Sequence, residues 1–235
     1  MSAVVLITGG ASGIGHAVAE RVVARGERVV LWDVSDVKLA ETCAVLGPLA
    51  EGHVVDVSDA QAVAEAPMGG ATHLVNNAGV LGQRMDWADL DAEHVQGVLD
   101  VNVVGAMMVT SAFLKARVPH PQAAIVNMAS IAGENGGATG FATYGASKGA
   151  IMALTRAMAR DFAGQIRVNA LAPGIIDTPI QDAVLTSAQA RSDIEKGIPM
   201  GRMGSPDEVA EAAEWLLFGA SYVTGEIIKV AGGRR

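Results

Sequence analysis

The chain has 235 residues, half of them hydrophobic but only 4% aromatic and 18% charged. That is ample material for a large buried core, and the core must be aliphatic. A formal net charge of −8 argues against nucleic acid or an anionic membrane surface as the main partner, since both select for basic patches.

The closing Arg234 and Arg235 read as a solvated tail. The single cysteine, Cys43, allows no internal disulfide and fits a reducing cytoplasm as a partly buried small side chain. The first stretch, MSAVVLITGG, has no basic leader, and its apolar run of five residues is too short for a secretory signal. A cytoplasmic protein is expected.

From there, short apolar runs alternate with helix-length segments. VVLI (4–7) reads as a strand. Residues 13–25 carry Ile14, Val18 and Val22 at four-residue spacing, with Gly26 as a stop, and read as a helix. RVVLW (28–32), HVV (53–55) and HLV (73–75) follow as strands. VNVVGAMMVTSAF (101–113) is the most apolar helix candidate; interrupted by Asn102, Thr110 and Ser111, it falls short of a membrane span and reads as a buried helix. AAIVNMA (123–129), RVNALA (167–172) and EIIKV (226–230) complete the strands. Before the last of them, SPDEVAEAAEWLLF opens with Ser205 as cap, Pro206 in the first helical position and Glu208 three residues after the cap, a capping box. Near-continuously apolar strands are covered on both faces. Strand alternating with helix therefore predicts an α/β fold: a Rossmann-like, doubly wound parallel sheet of about seven strands with helices on both faces. No linker, repeat or low-complexity tract interrupts it, so a single domain is expected.

The first predicted strand runs into ITGGASGIGHAV, which places Gly9, Gly13 and Gly15 between a strand and a helix start. Glycine lets the backbone approach a ligand closely, and the helix that follows offers unpaired N–H groups to a pyrophosphate. Asp33 ends the second strand, where a dinucleotide fold places an acid on the ribose hydroxyls. No basic side chain stands at residues 10–12 or 34–36 to receive a 2′-phosphate, so the expected cofactor is NAD.

At this point the sequence resembles the short-chain dehydrogenase/reductase family. The resemblance rests on an ordered set: TGGASGIG (8–15), DV (56–57), NNAG (76–79), the Asn of DVNVVG (100–105), the Ser of IVNMASIAG (125–133), YGASK (144–148), APGIIDT (172–178) and YVTGEIIKVAGG (222–233). It implies an active-site tetrad of Asn102, Ser130, Tyr144 and Lys148 and no metal. It also implies a nucleotide site. Gly9, Ser12, Gly13, Ile14 and Gly15 form its loop, Asp33 meets the ribose, and Asp56 and Val57 meet the adenine. Asn77, Ala78 and Gly79 line the floor, and Pro173, Gly174, Ile176 and Thr178 hold the nicotinamide end, with Tyr144 and Lys148 also against the cofactor. Two departures stand out. The gap from Ser130 to Tyr144 is one residue longer than usual, within GENGGATG (133–140), and Ala231 replaces an acid that many relatives carry.

Tyr144 and Lys148 lie four apart, on one helix face. A free phenol has a pKa near 10, and bringing it to roughly 7 takes about 4 kcal/mol of phenolate stabilisation. A nearby lysine ammonium and an oxidised nicotinamide are expected to supply it in a desolvated cleft. Tyr144 would then be the general acid/base, Ser130 would hydrogen-bond the substrate oxygen, Lys148 would also grip the ribose, and Asn102 would hold a relay water. Gly145, Ala146 and Ser147 are expected to let the helix pack closely.

Residues 179–204 are expected to form a substrate lid offering Pro179, Ile180, Val184, Leu185, Ile198, Met200 and Met203. With no obvious clamp for a carboxylate or phosphate, the expected substrate is a largely apolar secondary alcohol or ketone. ITGGASGIG, VLDVNVVG and APGIIDTPI look similar to NAD-using 3-hydroxyacyl-CoA and hydroxysteroid dehydrogenases. The resemblance, with apolar helices around 101–113 and 149–163, implies a homotetramer. An idle relative that binds NAD as a regulatory or scaffold protein is the alternative.

Overall fold

Consecutive residues of a strand point to opposite faces, and in this sheet both faces are buried. Val5 and Ile7 pack into one aliphatic cluster with Val18 and Val22, while Val4 and Leu6 pack into another with Val109 and Phe113. The computed structural model describes residues 2–183 and 187–235. Its strands are β1 (Val4–Thr8), β2 (Arg28–Asp33), β3 (Ala50–Val54), β4 (His73–Asn76), β5 (Ala124–Met128), β6 (Arg167–Pro173) and β7 (Ile227–Val230). They form one parallel sheet in the order β3-β2-β1-β4-β5-β6-β7. The order reverses between β1 and β4, and crevices for ligands open at such a switch point, beyond the carboxyl ends of the strands.

The helices of the described residues are α1 (Gly13–Ala24), α2 (Asp36–Leu46), α3 (Ala60–Glu65), α4 (Ala92–Leu99), α5 (Ala106–Ala116), α6 (Ala132–Asn135), α7 (Ala142–Asp161), α8 (Ala188–Lys196) and α9 (Pro206–Phe218). α1 and α9 share one face of the sheet, α5 and α7 the other. The capping box of α9 forms as expected: Glu208 N–H donates to the Ser205 side chain, and the Glu208 carboxylate accepts from Ser205 N–H.

Two elements depart from the sequence reading. β3 lies at Ala50–Val54 rather than 53–55, and its residues are at most half-buried. It is an edge strand, covered less fully than the centre of the sheet, so Glu51 and His53 are tolerated and the apolar signal is weak. The helix expected at 101–113 belongs to a continuous run of 25 residues, Ala92–Ala116, which by length and composition alone is apolar enough to cross a membrane. Here it packs on the sheet instead. Val109 and Phe113 enter the core, and Asn76 of β4 donates a hydrogen bond to Thr110. Nor is it wholly buried, since Val104 and Met107 are exposed. Between α4 and α5 the run widens into a π-helical turn, Asp100–Gly105, a feature that frequently marks functional sites.

Candidate active site

The site starts from the end of β1. The Thr8 hydroxyl accepts from the N–H groups of Asn77 and Ala78, each at 3.1 Å. The Asn77 amide donates in return to the Thr8 and Gly9 carbonyl oxygens, each at 3.0 Å. These four bonds tie the glycine loop to the loop after β4. Gly9 has φ +62°, a conformation side chains rarely adopt. At Gly15 a Cβ would overlap the Gly9 carbonyl oxygen, so the first turn of α1 reaches the loop only because both residues are glycine. Ser12 is the N-cap of α1, yet its hydroxyl makes no capping bond.

Asp33, at the end of β2, is held by two backbone donors: Ala11 N–H at 3.1 Å and Ser35 N–H at 3.1 Å. Its neighbour Val34 is 66% exposed and lines the same cleft, and Val37, 69% exposed, follows on α2. After β3, the Asp56 carboxylate accepts from the Ser58 N–H and hydroxyl.

Across the cleft, α7 begins right beside α6. A Cβ at Gly145 would sit 2.5 Å from the Gly136 carbonyl oxygen, so glycine permits this approach as expected. Ser147 is fully buried, but Ala146 is exposed, so the close packing expected of it is not seen within the chain. Ser130 follows β5; its hydroxyl accepts from Ala132 N–H at 3.1 Å and faces the Tyr144 phenol. Lys148 is buried and donates from Nζ to the Met128 carbonyl oxygen at 2.8 Å, with Nζ 5.7 Å from the Tyr144 ring centre. Burial pulls its ammonium down to about 8. Burial also pushes the Tyr144 phenol up, with the Ser130 hydroxyl working the other way. The depression to about 7 expected from the sequence is therefore not produced by the protein's own groups. Taking a phenolate out of water outweighs one neighbouring hydroxyl, and the lowering has to come from added positive charge.

Asn102 sits in the π turn, and its side chain is committed. The Val80 N–H donates to Oδ1 at 2.8 Å, while Nδ2 donates to the Val80 carbonyl at 2.9 Å and to the Ser147 hydroxyl at 3.0 Å. It braces the wall of the site rather than reaching into it.

Beyond β6, the Gly174 N–H donates to the Val230 carbonyl oxygen, and Ala231 packs against Gly174, so the substitution at 231 acts on packing. The Thr178 hydroxyl donates to the Ile176 carbonyl, and its methyl group faces Gly13 across the cleft. Of the segment expected to form a lid, Pro179 and Ile180 line the cleft, and residues Ala188–Lys196 form α8. Ile198 and Met203 are buried core residues and Met200 is exposed. Val184 and Leu185 lie outside the described residues.

A cleft of about 450 Å³ gathers Gly9, Ser12, Gly13, Ile14, Asp33, Asp56, Val57, Asn77, Ala78, Gly79, Ser130, Tyr144, Lys148, Pro173, Gly174, Ile176 and Thr178. Gly15 and Asn102 stand behind its walls. Sequence reasoning missed Val34, Val55, Val80, Val101 and Met128, which also line it. Each is an apolar residue at a strand end, in the loop after β4 or in the π turn, and only its adjacency to a motif residue signals it. Among the described residues no cluster of three His, Cys, Asp or Glu side chains stands ready for a metal ion.

The family model described as enoyl-(acyl carrier protein) reductase matches residues 9–235. The chain is 37% identical to 2-(S)-hydroxypropyl-CoM dehydrogenase 3 of Xanthobacter autotrophicus, over 98% of this chain and 95% of that one. It is 35% identical to the 3-oxoacyl-[acyl-carrier-protein] reductase FabG of Thermotoga maritima, over 98% and 96%. A crystal structure from Beutenbergia cavernae with NADP bound at low occupancy superposes with a TM-score of 0.91 at 33% identity, covering 98% of this chain and 96% of that one. With a seven-stranded parallel sheet and a glycine-cradled cleft, the chain belongs to the short-chain dehydrogenase/reductase family of nicotinamide-dependent oxidoreductases.

Proposed function

We propose that this protein is an NAD(H)-dependent oxidoreductase that interconverts a largely apolar secondary alcohol and its ketone, with Tyr144 as general acid/base. The observation that carries the cofactor half is Asp33. Two backbone donors fix its carboxylate at the end of β2, beside the exposed apolar Val34. A ribose with both hydroxyls has donors for that carboxylate, whereas a 2′-phosphate would meet a like charge on an apolar surface. The NADP in the Beutenbergia cavernae structure belongs to that protein.

The cleft fits a dinucleotide, because Gly9 and Gly13 line it without side chains and the Ser12 hydroxyl beside them is free of capping duty. Gly9, Ser12, Gly13 and Ile14 would hold the pyrophosphate at the start of α1. Asp33 would hold the adenosine ribose, and Asp56 and Val57 the adenine. Asn77, Ala78 and Gly79 would underlie the rest, with Pro173, Gly174, Ile176 and Thr178 at the nicotinamide end. Bound there, the nicotinamide supplies hydride exchange with the carbinol carbon.

Tyr144 then holds the proton at Oη, giving it to the carbonyl oxygen in reduction or taking it from the alcohol in oxidation. The Ser130 hydroxyl, facing Tyr144, shares the substrate oxygen and favours its developing charge. Lys148 brings an ammonium to the buried side of the phenol and reaches the ribose. Asn102 braces Val80 and with it the cleft wall. Most of the remaining lining side chains, among them Val80, Val101, Met128 and Ile180, are apolar and support a largely apolar substrate, with the Gln181 amide as a polar exception. Three polar side chains, Ser130, Tyr144 and Lys148, converging on one cleft favour turnover over an idle NAD-binding protein. Val104 and Met107, exposed on an apolar helix run, support a homotetramer, which sedimentation at micromolar concentration would test and a monomer would refute.

The cofactor reading is tested by kcat/KM for NADH and NADPH with one ketone. Each charge-assisted ribose bond contributes about 1.5–3 kcal/mol, and a loss of about 3 kcal/mol exceeds a hundredfold. NADH should be favoured by about 100-fold or more, with Asp33→Ala narrowing the ratio. Equal use of NADPH by the wild type would overturn the assignment.

A further inference from the structure

Ser147 lies between Tyr144 and Lys148 on α7, yet it touches neither the cleft nor solvent: it is fully buried. Its hydroxyl donates to the Tyr144 carbonyl oxygen at 2.7 Å and accepts from Asn102 Nδ2 at 3.0 Å. A hydroxyl has one proton. With that proton on the Tyr144 carbonyl, only lone pairs face Asn102, so Ser147 requires a donor there. This favours the same orientation of the Asn102 amide as the Val80 backbone pair does. Its two N–H bonds go to Ser147 and the Val80 carbonyl, and Oδ1 is left to accept the Val80 N–H.

The amide orientation reaches the site in two ways. Val80 lines the cleft, so the paired bonds from Asn102 hold part of its wall. Asn102 Oδ1 and Lys148 Nζ also border the same space beside Gly79, where a Cβ would lie 3.2 Å from Oδ1 and 3.3 Å from Nζ. An amide turned the other way would present N–H groups toward the ammonium instead of an oxygen, and would face the Val80 N–H with a second donor.

We propose that Ser147 is a positioning residue for this site, clamping the Asn102 amide in one orientation and so locking the Val80 wall to the helix that carries Tyr144 and Lys148. The proposal rests on the reading of Tyr144 as the proton donor. Alanine at 147 removes one of the three partners that orient the amide and leaves one of its N–H groups buried without a partner. Threonine keeps the hydroxyl, and a helical threonine makes the same bond to a carbonyl one turn back.

The test compares Ser147→Ala and Ser147→Thr with wild type, using NADH and the ketone turned over fastest in a panel. The alanine variant should lose about tenfold or more in kcat while KM for NADH changes by less than about threefold, and the threonine variant should recover to within about threefold. In an Asn102→Ala background, where there is no amide to orient, Ser147→Ala should cost less than about threefold. A purely structural serine would cost the same in both backgrounds. Ser147→Ala keeping more than half of wild-type kcat, or losses that simply multiply, would overturn the proposal.

Hydrogen exchange of the Asn102 side-chain amide, followed by NMR, gives an arm independent of turnover. Slow exchange is expected in the wild type, and exchange about tenfold or more faster in Ser147→Ala; equal rates overturn the clamp. If the alanine variant does not fold, fast exchange in the wild type alone overturns it, and protection retained by Ser147→Thr supports it. A protein that reduces no ketone yet shows these exchange rates would refute the enzymatic reading while leaving the clamp standing.

Discussion

Replacing Lys148 by Met should make the protein more stable and inactive. Burial lowers the lysine from 10.5 to about 8, so the folded protein holds an ammonium it would rather release. At pH 7 the side chain is charged in both states, and the difference between those two values corresponds to about 3 kcal/mol of lost stability. Because the folded pKa is the lower one, the unfolded chain binds more protons between pH 8 and 10.5. The cost is therefore full below pH 8 and fades as pH rises through that window. Against it stands the bond from Nζ to the Met128 carbonyl, whose loss costs about 1 kcal/mol. Methionine fills similar space with no charge, which leaves a net gain of about 2 kcal/mol and a Tm higher by about 4–8 °C. The assay is thermal unfolding by circular dichroism at pH 7 and pH 10, alongside turnover with NADH. A Tm at pH 7 equal to or below wild type, or a gain that does not shrink toward pH 10, would refute the reasoning.

Gly15→Ala should lose cofactor affinity by about tenfold or more, because its Cβ overlaps the Gly9 carbonyl and must push the glycine loop away from α1; fluorescence titration with NADH checks this, and unchanged affinity would contradict it. His73, buried on β4 and stacked near His120, is lowered to about 4 by burial and then by His120. Its folded pKa lies below its ordinary 6.5, so the stability it contributes is complete above pH 6.5 and falls away toward pH 4, by up to about 3 kcal/mol. Tm should drop between pH 7 and pH 5, and His73→Gln should flatten that drop; parallel slopes would show that another group is responsible.

What the sequence revealed and what it hid divide along physical lines. β1, Gly9, Gly15 and the cap at Ser205 are local: a strand, a required backbone approach and a hydrogen-bonding box each leave a mark within a few residues. Asp33, Ser130, Tyr144 and Lys148 were legible because their chemistry demands particular side chains, and the fold brings them to one cleft. β3 slipped because an edge strand need not be apolar. The π turn at Asp100–Gly105 was invisible because one extra residue in a helical turn changes hydrogen bonding, not composition. The bonds of the Asn102 amide to Val80 and Ser147 were hidden as well, because only the fold supplies those partners. The upward push that burial exerts on the Tyr144 phenol was hidden, since burial is a property of the surroundings and not of a four-residue spacing.

The central claim is that Tyr144 supplies the proton for hydride exchange with NAD(H). Its most direct test is the loss of reduced-nicotinamide absorbance for a panel of apolar ketones, run with NADH on the wild type and on Tyr144→Phe, with NADH affinity measured for both. The account predicts turnover by the wild type, a loss of about a thousandfold in the variant, and unchanged NADH affinity, because only a hydroxyl has been removed. A variant that keeps a tenth or more of wild-type kcat would contradict it.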